Sequence, residues 1–151
     1  MDDRLTPKVE IIRPPKWAVD TSVAIPLVMA NHPNHAAVAA KVGTRKVHLS
    51  GHALAETYSA LTRMPKVNLS DDEVAEVIDC SFAEPLPLRA GTYVKLHMEL
   101  AKSGISGGAV YDALVGLAAK ENYATLLTMD TRASATYDAL GVKVEMIAVA
   151  R

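Results

Sequence analysis

The stretch Trp17-Ala-Val-Asp20-Thr-Ser22 joins a short apolar run to an acid and two hydroxyl residues. Residues 17–19 have the composition of a buried strand, and Thr21 or Ser22 can cap the helix that the following residues predict. Asp20 then stands at the carboxyl end of the strand, where ligands bind in open parallel sheets. The stretch therefore predicts a strand followed by a helix, with a candidate functional acid between them.

The same alternation of apolar runs and helical segments continues along the chain. Pro85 and Pro87 mark a loop or an edge strand, and Ser70-Asp-Asp-Glu73 is a capping box that begins a helix. The further strands are predicted at 46–49, 124–129 and 142–147, and the further helices at about 34–42, 50–63, 70–81, 89–102, 107–120 and 133–140. Strands that alternate with helices predict an α/β fold, a single domain with a mainly parallel central sheet flanked by helices on both faces.

Length and composition are those of one globular domain. The chain has 151 residues, of which 50% are hydrophobic and 22% are charged, and its net charge is −1. A domain of this size has room for one core. With so little net charge, any binding of nucleic acid must come from a local cluster of Lys and Arg. The overall charge therefore neither predicts nor excludes a nucleic-acid ligand.

The apolar runs and the single cysteine bear on the compartment. The longest charge-free run, residues 21–40, is interrupted by prolines and polar residues, and residues 1–16 lack the apolar core of a signal peptide. Cys80 cannot form an internal disulfide, which agrees with a reducing compartment. We therefore expect a cytoplasmic protein without a membrane partner, with a proline-containing N-terminal extension at residues 1–16 and one domain at residues 17–151.

Four of the 17 acidic residues lie in or directly after apolar segments. Asp20, Glu56 and Asp112 are each the only charged residue of a long apolar segment, and Asp130 follows directly on the apolar run at 124–129. A carboxylate alone in apolar surroundings costs on the order of several kcal/mol unless it is protonated, paired or bound to a cation. A local arrangement, such as a helix cap by Asp20 or Asp130, is an alternative for each acid. Four separate arrangements are a weaker explanation than one shared cause.

A shared divalent cation accounts for all four acids. Two carboxylates about 4 Å apart repel each other by on the order of 4 kcal/mol at an effective dielectric constant of about 20. Oxygen ligands favour Mg²⁺, or Mn²⁺, over zinc, which prefers His or Cys. The residues therefore predict one metal site, with Asp20 and Asp112 as direct ligands. Glu56 and Asp130 would bind a second ion, hold metal waters or orient a water molecule.

Four short motifs together resemble a known family. They are Val-Asp20-Thr-Ser at the first strand, Ala-Glu56 in a helix, Gly107-Gly108-Ala-Val-Tyr-Asp112-Ala-Leu in a late helix, and Thr128-Met-Asp130 after a strand. In order and spacing, over residues 17–147, the chain resembles PIN-domain ribonucleases, specifically the toxins of VapBC-type (type II) toxin–antitoxin pairs. Two features depart from that pattern. Residues 1–16 precede the usual start of the domain, and Thr131-Arg132-Ala133 stands where an aromatic residue often follows the last acid.

The resemblance implies both a fold and a function. It implies a PIN-like nuclease domain with Asp20, Glu56, Asp112 and Asp130 at the carboxyl edge of a parallel sheet. These acids would bind Mg²⁺ and act as the catalytic residues of an endoribonuclease, which cleaves single-stranded RNA through a metal-activated water. The resemblance also implies a cognate antitoxin, whose carboxyl-terminal segment blocks the acidic groove, and a homodimer.

Two other classes of function remain open on the residues alone. In a phosphoacceptor or phosphatase-type α/β domain, Asp20 would be a nucleophile and the other acids would hold Mg²⁺. Such a site usually needs a Lys near the late strand, and residues 126–131 contain none. A catalytically silent interaction protein would use its fold only to bind a partner, but it would not need four acids.

Several polar residues near the acids have two interpretations. Ser22 and Thr128 could donate hydroxyl hydrogen bonds to the acids, or they could serve as a helix cap and a strand end. His52 could contact RNA or be a hydrogen-bonded surface histidine. Arg63 and Arg132 could contact phosphates or be solvated charges.

Overall fold

A computed structural model describes residues 9 and 11–149 of the chain. Strands and helices alternate along the described part. In chain order they are β1 (Lys16–Val19), α1 (Thr21–Val28), α2 (His35–Val42), β2 (Val47–Ser50), α3 (Gly51–Arg63), α4 (Asp71–Ser81), β3 (Ala83–Leu86), α5 (Ala90–Lys102), α6 (Ala109–Glu121), β4 (Ala124–Thr128), α7 (Ser134–Ala139) and β5 (Val144–Met146).

The strands form one sheet in the order β3-β2-β1-β4-β5. Trp17 of β1 pairs with Val47 of β2, and Val19 pairs with Leu127 of β4. Each strand pair in the described ranges is parallel. Because β1 is central and β4 is its neighbour, the residues that follow these two strands lie side by side at the carboxyl edge. This architecture confirms the predicted α/β fold with a mainly parallel sheet.

The central strands are buried, as expected for a parallel sheet that helices cover. Val19, Leu126 and Leu127 have no exposed surface, and Leu49 of β2 is almost fully buried. Val23 of α1 joins the same core and is also fully buried. This packing fixes the ends of β1 and β4, which carry two of the candidate acids.

Side-chain caps begin α3 and α4, and the cap of α4 is the capping box that the sequence predicted. Ser50 accepts a hydrogen bond from the backbone N–H of Ala53 at the start of α3. Ser70 and Glu73 form the capping box of α4, with both reciprocal hydrogen bonds present. Both caps satisfy backbone groups that the first turn of a helix leaves free. None of the helices in the described part is long and apolar enough to cross a membrane.

For two strands, the structure decides between the predicted alternatives or gives different boundaries. Pro85 lies within β3, which pairs with β2 at the edge of the sheet, so the edge strand is confirmed over the loop. The last strand is Val144–Met146 and is shorter than the predicted 142–147. The reason is that the N–H of Val142 donates to the carbonyl oxygen of Tyr137, which places Val142 in the turn after α7.

The N-terminal residues that the structure describes lead into the sheet without a helix or strand at 11–15. The guanidinium carbon of Arg13 lies 4.7 Å from the ring centre of Tyr123, just before β4. Residues 1–8 and 10 of the predicted extension lie outside the described residues. The division into an extension at 1–16 and a domain at 17–151 therefore stays a prediction.

Candidate metal-binding active site

Asp20 and Asp130 follow neighbouring strands, and Thr128 links them. The Thr128 hydroxyl donates to Oδ2 of Asp20 over 2.5 Å, and Oγ1 of Thr128 accepts a hydrogen bond from the backbone N–H of Asp130 over 3.0 Å. The backbone N–H of Asp20 donates to the carbonyl oxygen of Leu127 over 3.4 Å. The topology thus brings the first and last predicted site residues together at the carboxyl edge.

Asp20 is a buried carboxylate, only 5% exposed, that hydrogen-bond donors surround. Its Oδ1 accepts the backbone N–H of Ser22 over 3.1 Å and the Ser22 hydroxyl over 2.5 Å. Its Oδ2 accepts the hydroxyls of Thr128 over 2.5 Å and of Tyr137 over 3.0 Å. The predicted hydroxyl contacts of Ser22 and Thr128 are therefore confirmed, and so is the alternative that Asp20 caps a helix. The expectation that Thr21 or Ser22 caps this helix is wrong, because both lie within its first turn and Asp20 precedes it.

Opposing effects act on the pKa of Asp20. Burial raises this pKa above its ordinary value, whereas the hydrogen bonds from Ser22, Thr128 and Tyr137 act in the other direction. The negative charge of Asp130 adds to the increase, and the net effect is a raised pKa. Burial without a cation is thus costly for this carboxylate, even with its donors in place.

Tyr137 is a site residue that the sequence did not identify. It lies on α7, is 1% exposed, and its hydroxyl reaches Asp20. Burial, followed by the charge of Asp20, raises the pKa of Tyr137, so its hydroxyl is a donor at neutral pH. The ring fits against Gly116 of α6, where a Cβ atom would come within 3.0 Å of Tyr137 Cδ1. The available signal was a tyrosine within the predicted helix 133–140, because a buried tyrosine hydroxyl usually has a partner.

Glu56 does not lie in the apolar surroundings that its segment suggested. Its side chain is 44% exposed, and its Oε1 accepts a hydrogen bond from Nε2 of His52 over 3.0 Å, one helical turn earlier. The reason is the geometry of α3, which buries Ala53, Thr57 and Leu61 on its other face. The expectation of an apolar environment is therefore wrong for Glu56. The hydrogen-bonded interpretation of His52 is confirmed.

The ring of His52 also connects α3 with α6. It stacks on Tyr111, with the ring centres 5.2 Å apart and the planes at 7°. Tyr111 directly precedes Asp112 in α6, and His52 contacts Glu56 in α3. The stack of the two rings therefore brings the segment of α6 that carries Asp112 next to the segment of α3 that carries Glu56. The sequence does not indicate that these two aromatic rings stack, because nothing in the local pattern of α3 indicates its register against α6.

Asp130 forms a local backbone arrangement of the kind considered as an alternative for it. Its Oδ1 accepts the backbone N–H of Arg132 over 2.9 Å and that of Ala133 over 3.3 Å. Nε of Arg132 lies 3.8 Å from the same oxygen. These contacts all fall on one oxygen of the carboxylate, and they fix the orientation of the side chain.

Asp112 is half-buried and feels the charges of all three other acids. Burial raises the pKa of Asp112 most, and the charges of Asp130, Asp20 and Glu56 raise it further, while Arg132 opposes them. The apolar surroundings expected for Asp112 are found in part, because the residue is half-buried. The mutual repulsion supports the prediction that the four acids share one site.

The carboxylate oxygens of this site suit a divalent cation, but the side chains are not arranged as a formed metal site. In the ranges 9 and 11–149, no group of three or more His, Cys, Asp or Glu side chains is arranged to hold a metal ion. The groups that face one another are carboxylates, which are the ligands that Mg²⁺ and Mn²⁺ prefer. A cation would also neutralise the charge concentrated around Asp112. The assignment of a shared metal site to these acids stays a prediction.

Comparison with known proteins places this arrangement in a family. Residues 18–139 match the PIN domain family, whose ribonucleases generally depend on a divalent metal ion. The chain is 51% identical over 135 residues to Ribonuclease VapC27 of Mycobacterium tuberculosis (strain ATCC 25618 / H37Rv), covering 89% of this chain and 98% of the relative. It is 43% identical over 132 residues to Ribonuclease VapC40 of Mycobacterium tuberculosis (strain CDC 1551 / Oshkosh), covering 86% and 98%.

A solved structure shares the fold. The crystal structure of VapBC-5, a member of the VapBC family of toxin–antitoxin systems from Mycobacterium tuberculosis, superposes with a TM-score of 0.53 at 22% identity. The match covers 90% of this chain and all of the other. With the family match and the sequence relatives, these likenesses have one explanation: the chain belongs to the PIN domain family, within its group of VapC ribonucleases.

Proposed function

We propose that this chain is a Mg²⁺-dependent endoribonuclease that hydrolyses phosphodiester bonds of RNA as the toxin of a toxin–antitoxin pair. One observation carries the proposal. Burial and the charges of Asp130, Asp20 and Glu56 all raise the pKa of Asp112, so the carboxyl edge concentrates negative charge that needs a cation. The membership in the VapC ribonucleases supports RNA as the substrate.

The four acids would have different roles, which depend on the surroundings of each side chain. Asp20 and Asp112 would hold the cation directly, Asp20 because four donor contacts fix its orientation. Glu56 and Asp130 would complete the site as further ligands or as residues that orient water. A divalent cation, when bound, stabilises negative charge on a phosphate and makes water more acidic. Mn²⁺ has the same preference for oxygen ligands and is the expected substitute.

The protein groups around the acids prepare them for this role. Tyr137, Ser22 and Thr128 keep Asp20 from rotating, so no reorganisation is needed when substrate arrives. His52 holds Glu56 at the surface of α3, where a substrate can approach it. Because Glu56 is the most exposed of the four acids in the described structure, it is the best placed to accept a proton from an attacking water.

The residues of β4 and its carboxyl end argue against the phosphoacceptor alternative. A site that uses an aspartate as the nucleophile usually needs a Lys near the late strand. Residues 126–131 contain no Lys. Incubation with a phosphoryl donor should therefore leave no phospho-aspartate at Asp20.

The partners follow from the family. A cognate antitoxin is the expected protein partner, as in the VapBC toxin–antitoxin family whose member VapBC-5 shares this fold. A homodimer, a cytoplasmic location and the separate character of residues 1–16 are further expectations of the same proposal.

The test of the proposal is cleavage of single-stranded RNA by the purified full chain. Mg²⁺ should support cleavage, EDTA should stop it, and added Mg²⁺ or Mn²⁺ should restore it. The Asp20→Asn variant is the matched control, because it keeps the size of the side chain and removes its charge. Cleavage that persists in excess EDTA, or that is equal in this variant, would contradict the proposal.

A further inference from the structure

One face of α3 carries a stripe of polar residues through the candidate site. His52, Glu56, Ser59 and Arg63 are spaced by four, three and four positions, so they share one side of the helix. At about 1.5 Å per residue, the stripe is roughly 16 Å long. An aromatic pair therefore lies at one end of the stripe, an acid in its middle and a cation at the other end.

The aromatic end is a flat surface beside the acids. His52 and Tyr111 are stacked almost in parallel, and Tyr111 is 56% exposed. His52 is fixed in turn by its hydrogen bond to Glu56. A pair that only joined two helices would bury its rings between them, whereas this pair leaves the tyrosine open to solvent. Exposed aromatic rings of this kind stack on nucleobases without selecting a sequence.

The cationic end borders a groove that starts at the site. The groove has a volume of about 510 Å³ and runs between α1 and α3, from Ser22 and Glu56 to Ser59 and Arg63. Nε of Arg63 donates to the carbonyl oxygen of Ser59 over 3.2 Å, which holds the guanidinium group at the end of the groove. A guanidinium at this place suits a phosphate, because its planar donors match phosphate oxygens.

We propose that this face of α3 binds the single-stranded RNA substrate, with a nucleobase stacked on Tyr111 and a phosphate on Arg63. The phosphodiester bond between these two contacts then lies next to Glu56. The inference rests on the proposed ribonuclease function and adds the residues that position the substrate. Tyr111 and Arg63 are positioning residues that bring the backbone of the RNA to the acids.

The test measures RNA binding apart from cleavage. A short fluorescein-labelled single-stranded oligoribonucleotide is titrated with the full chain in EDTA, and anisotropy gives Kd. Loss of one stacked base predicts a Kd about 5- to 150-fold higher for Tyr111→Ala and an equal loss for Tyr111→Leu, which keeps apolar bulk. Tyr111→Phe should bind as the unmodified chain does. Arg63→Gln should bind less tightly and lower the salt dependence of binding by about one phosphate contact.

Matched controls separate stacking from loss of structure. Tyr93 of α5 is also 56% exposed, and Tyr93→Ala should leave Kd unchanged. In Mg²⁺, Tyr111→Ala should raise KM with kcat nearly unchanged, and thermal unfolding should show that each variant is folded. A merely structural role for the stack would lower kcat and stability in Tyr111→Ala without a matching change in Kd.

The inference and the proposed function fail in different ways. Unchanged Kd and KM in Tyr111→Ala, or an equal loss in Tyr93→Ala, would overturn the stacking site while cleavage by the unmodified chain left the ribonuclease function intact. Absence of Mg²⁺-dependent cleavage by the unmodified chain would overturn the function itself. Weaker binding by Arg63→Gln alone would also overturn the inference, because the aromatic surface is its central part.

Discussion

The hydroxyl of Tyr137 donates a hydrogen bond to Oδ2 of Asp20 over 3.0 Å, although 117 positions separate the two residues in the chain. This bond ties the short helix α7 to the acid that ends the central strand. Both partners are almost fully buried, so water cannot replace either one. The orientation of Asp20 therefore depends on the packing of an element far from it in sequence.

Tyr137→Phe tests this bond. The variant keeps the ring and leaves one oxygen of a buried carboxylate with one donor fewer, which should lower the free energy of unfolding by about 2 kcal/mol. It should also weaken divalent-metal affinity roughly 10- to 100-fold, as expected for a residue that orients a ligand. Chemical denaturation and metal titration by calorimetry measure the two effects. Equal results for Tyr137→Phe and the unmodified chain would show that the bond orients nothing.

Gly116→Ala should displace the ring of Tyr137, which packs against Gly116. The new Cβ atom would come within 3.0 Å of both Tyr137 Cδ1 and Val142 Cγ2. Overpacking of this kind costs about 1–3 kcal/mol, which exceeds the gain of about 1 kcal/mol from replacing a helical glycine by alanine. Thermal unfolding should show a destabilised protein with reduced RNA cleavage. Gly91→Ala on α5 is the control, because nothing lies within 4 Å of its Cβ position, and it should not be destabilised.

Asp112→Asn should stabilise the metal-free protein at neutral pH. Burial and the neighbouring acids raise the pKa of Asp112 above 3.8, so the folded state binds its proton more tightly than the unfolded state does. Stability of the unmodified chain should therefore fall as pH rises from about 3.8 through the folded pKa, and this part of the pH dependence should be missing in the variant. Urea unfolding in EDTA across this range measures it. A variant that is less stable than the unmodified chain at neutral pH would contradict the proposed repulsion between Asp112 and the neighbouring acids.

Glu121 should show the opposite pH dependence. Burial tends to raise the pKa of Glu121, but the backbone N–H of Arg89, the Thr92 hydroxyl and the Arg89 charge lower it overall, below 4.5. Its contribution to stability is therefore full above 4.5 and lost as pH falls through the folded pKa. Glu121→Gln should cost about 1 kcal/mol at neutral pH and progressively less in acid, as measured by urea unfolding. A cost that grows in acid would contradict these contacts.

The sequence predicted most of the fold because its signals are local. The apolar run 124–129, the Ser70 capping box and the prolines at 85 and 87 each act within a few positions. The order of strands then brings Asp20 next to Asp130, as the parallel arrangement requires. The strand–helix pattern was thus sufficient for the architecture and for the edge of the sheet that carries the acids.

The surroundings of the acids were not predictable in the same way. Glu56 was expected in apolar surroundings because its segment holds no other charge, but the rotation of α3 exposes it beside His52. Tyr137 reaches Asp20 only because α7 packs against α6 at Gly116. Contacts of this kind depend on tertiary packing, and a single sequence does not encode them in any local pattern.

The most direct test of the central claim is the rate of single-stranded RNA cleavage in Mg²⁺ by the unmodified chain and by Asp112→Asn. Asp112 is the acid whose pKa burial and all three other acids raise, and its replacement should lower the rate by about 100-fold or more, since metal stabilisation of the transition state is worth several kcal/mol. The variant should remain folded and gain stability in EDTA. A folded Asp112→Asn protein that cleaves RNA at the unmodified rate would contradict the claim that these four acids form one metal-dependent ribonuclease site.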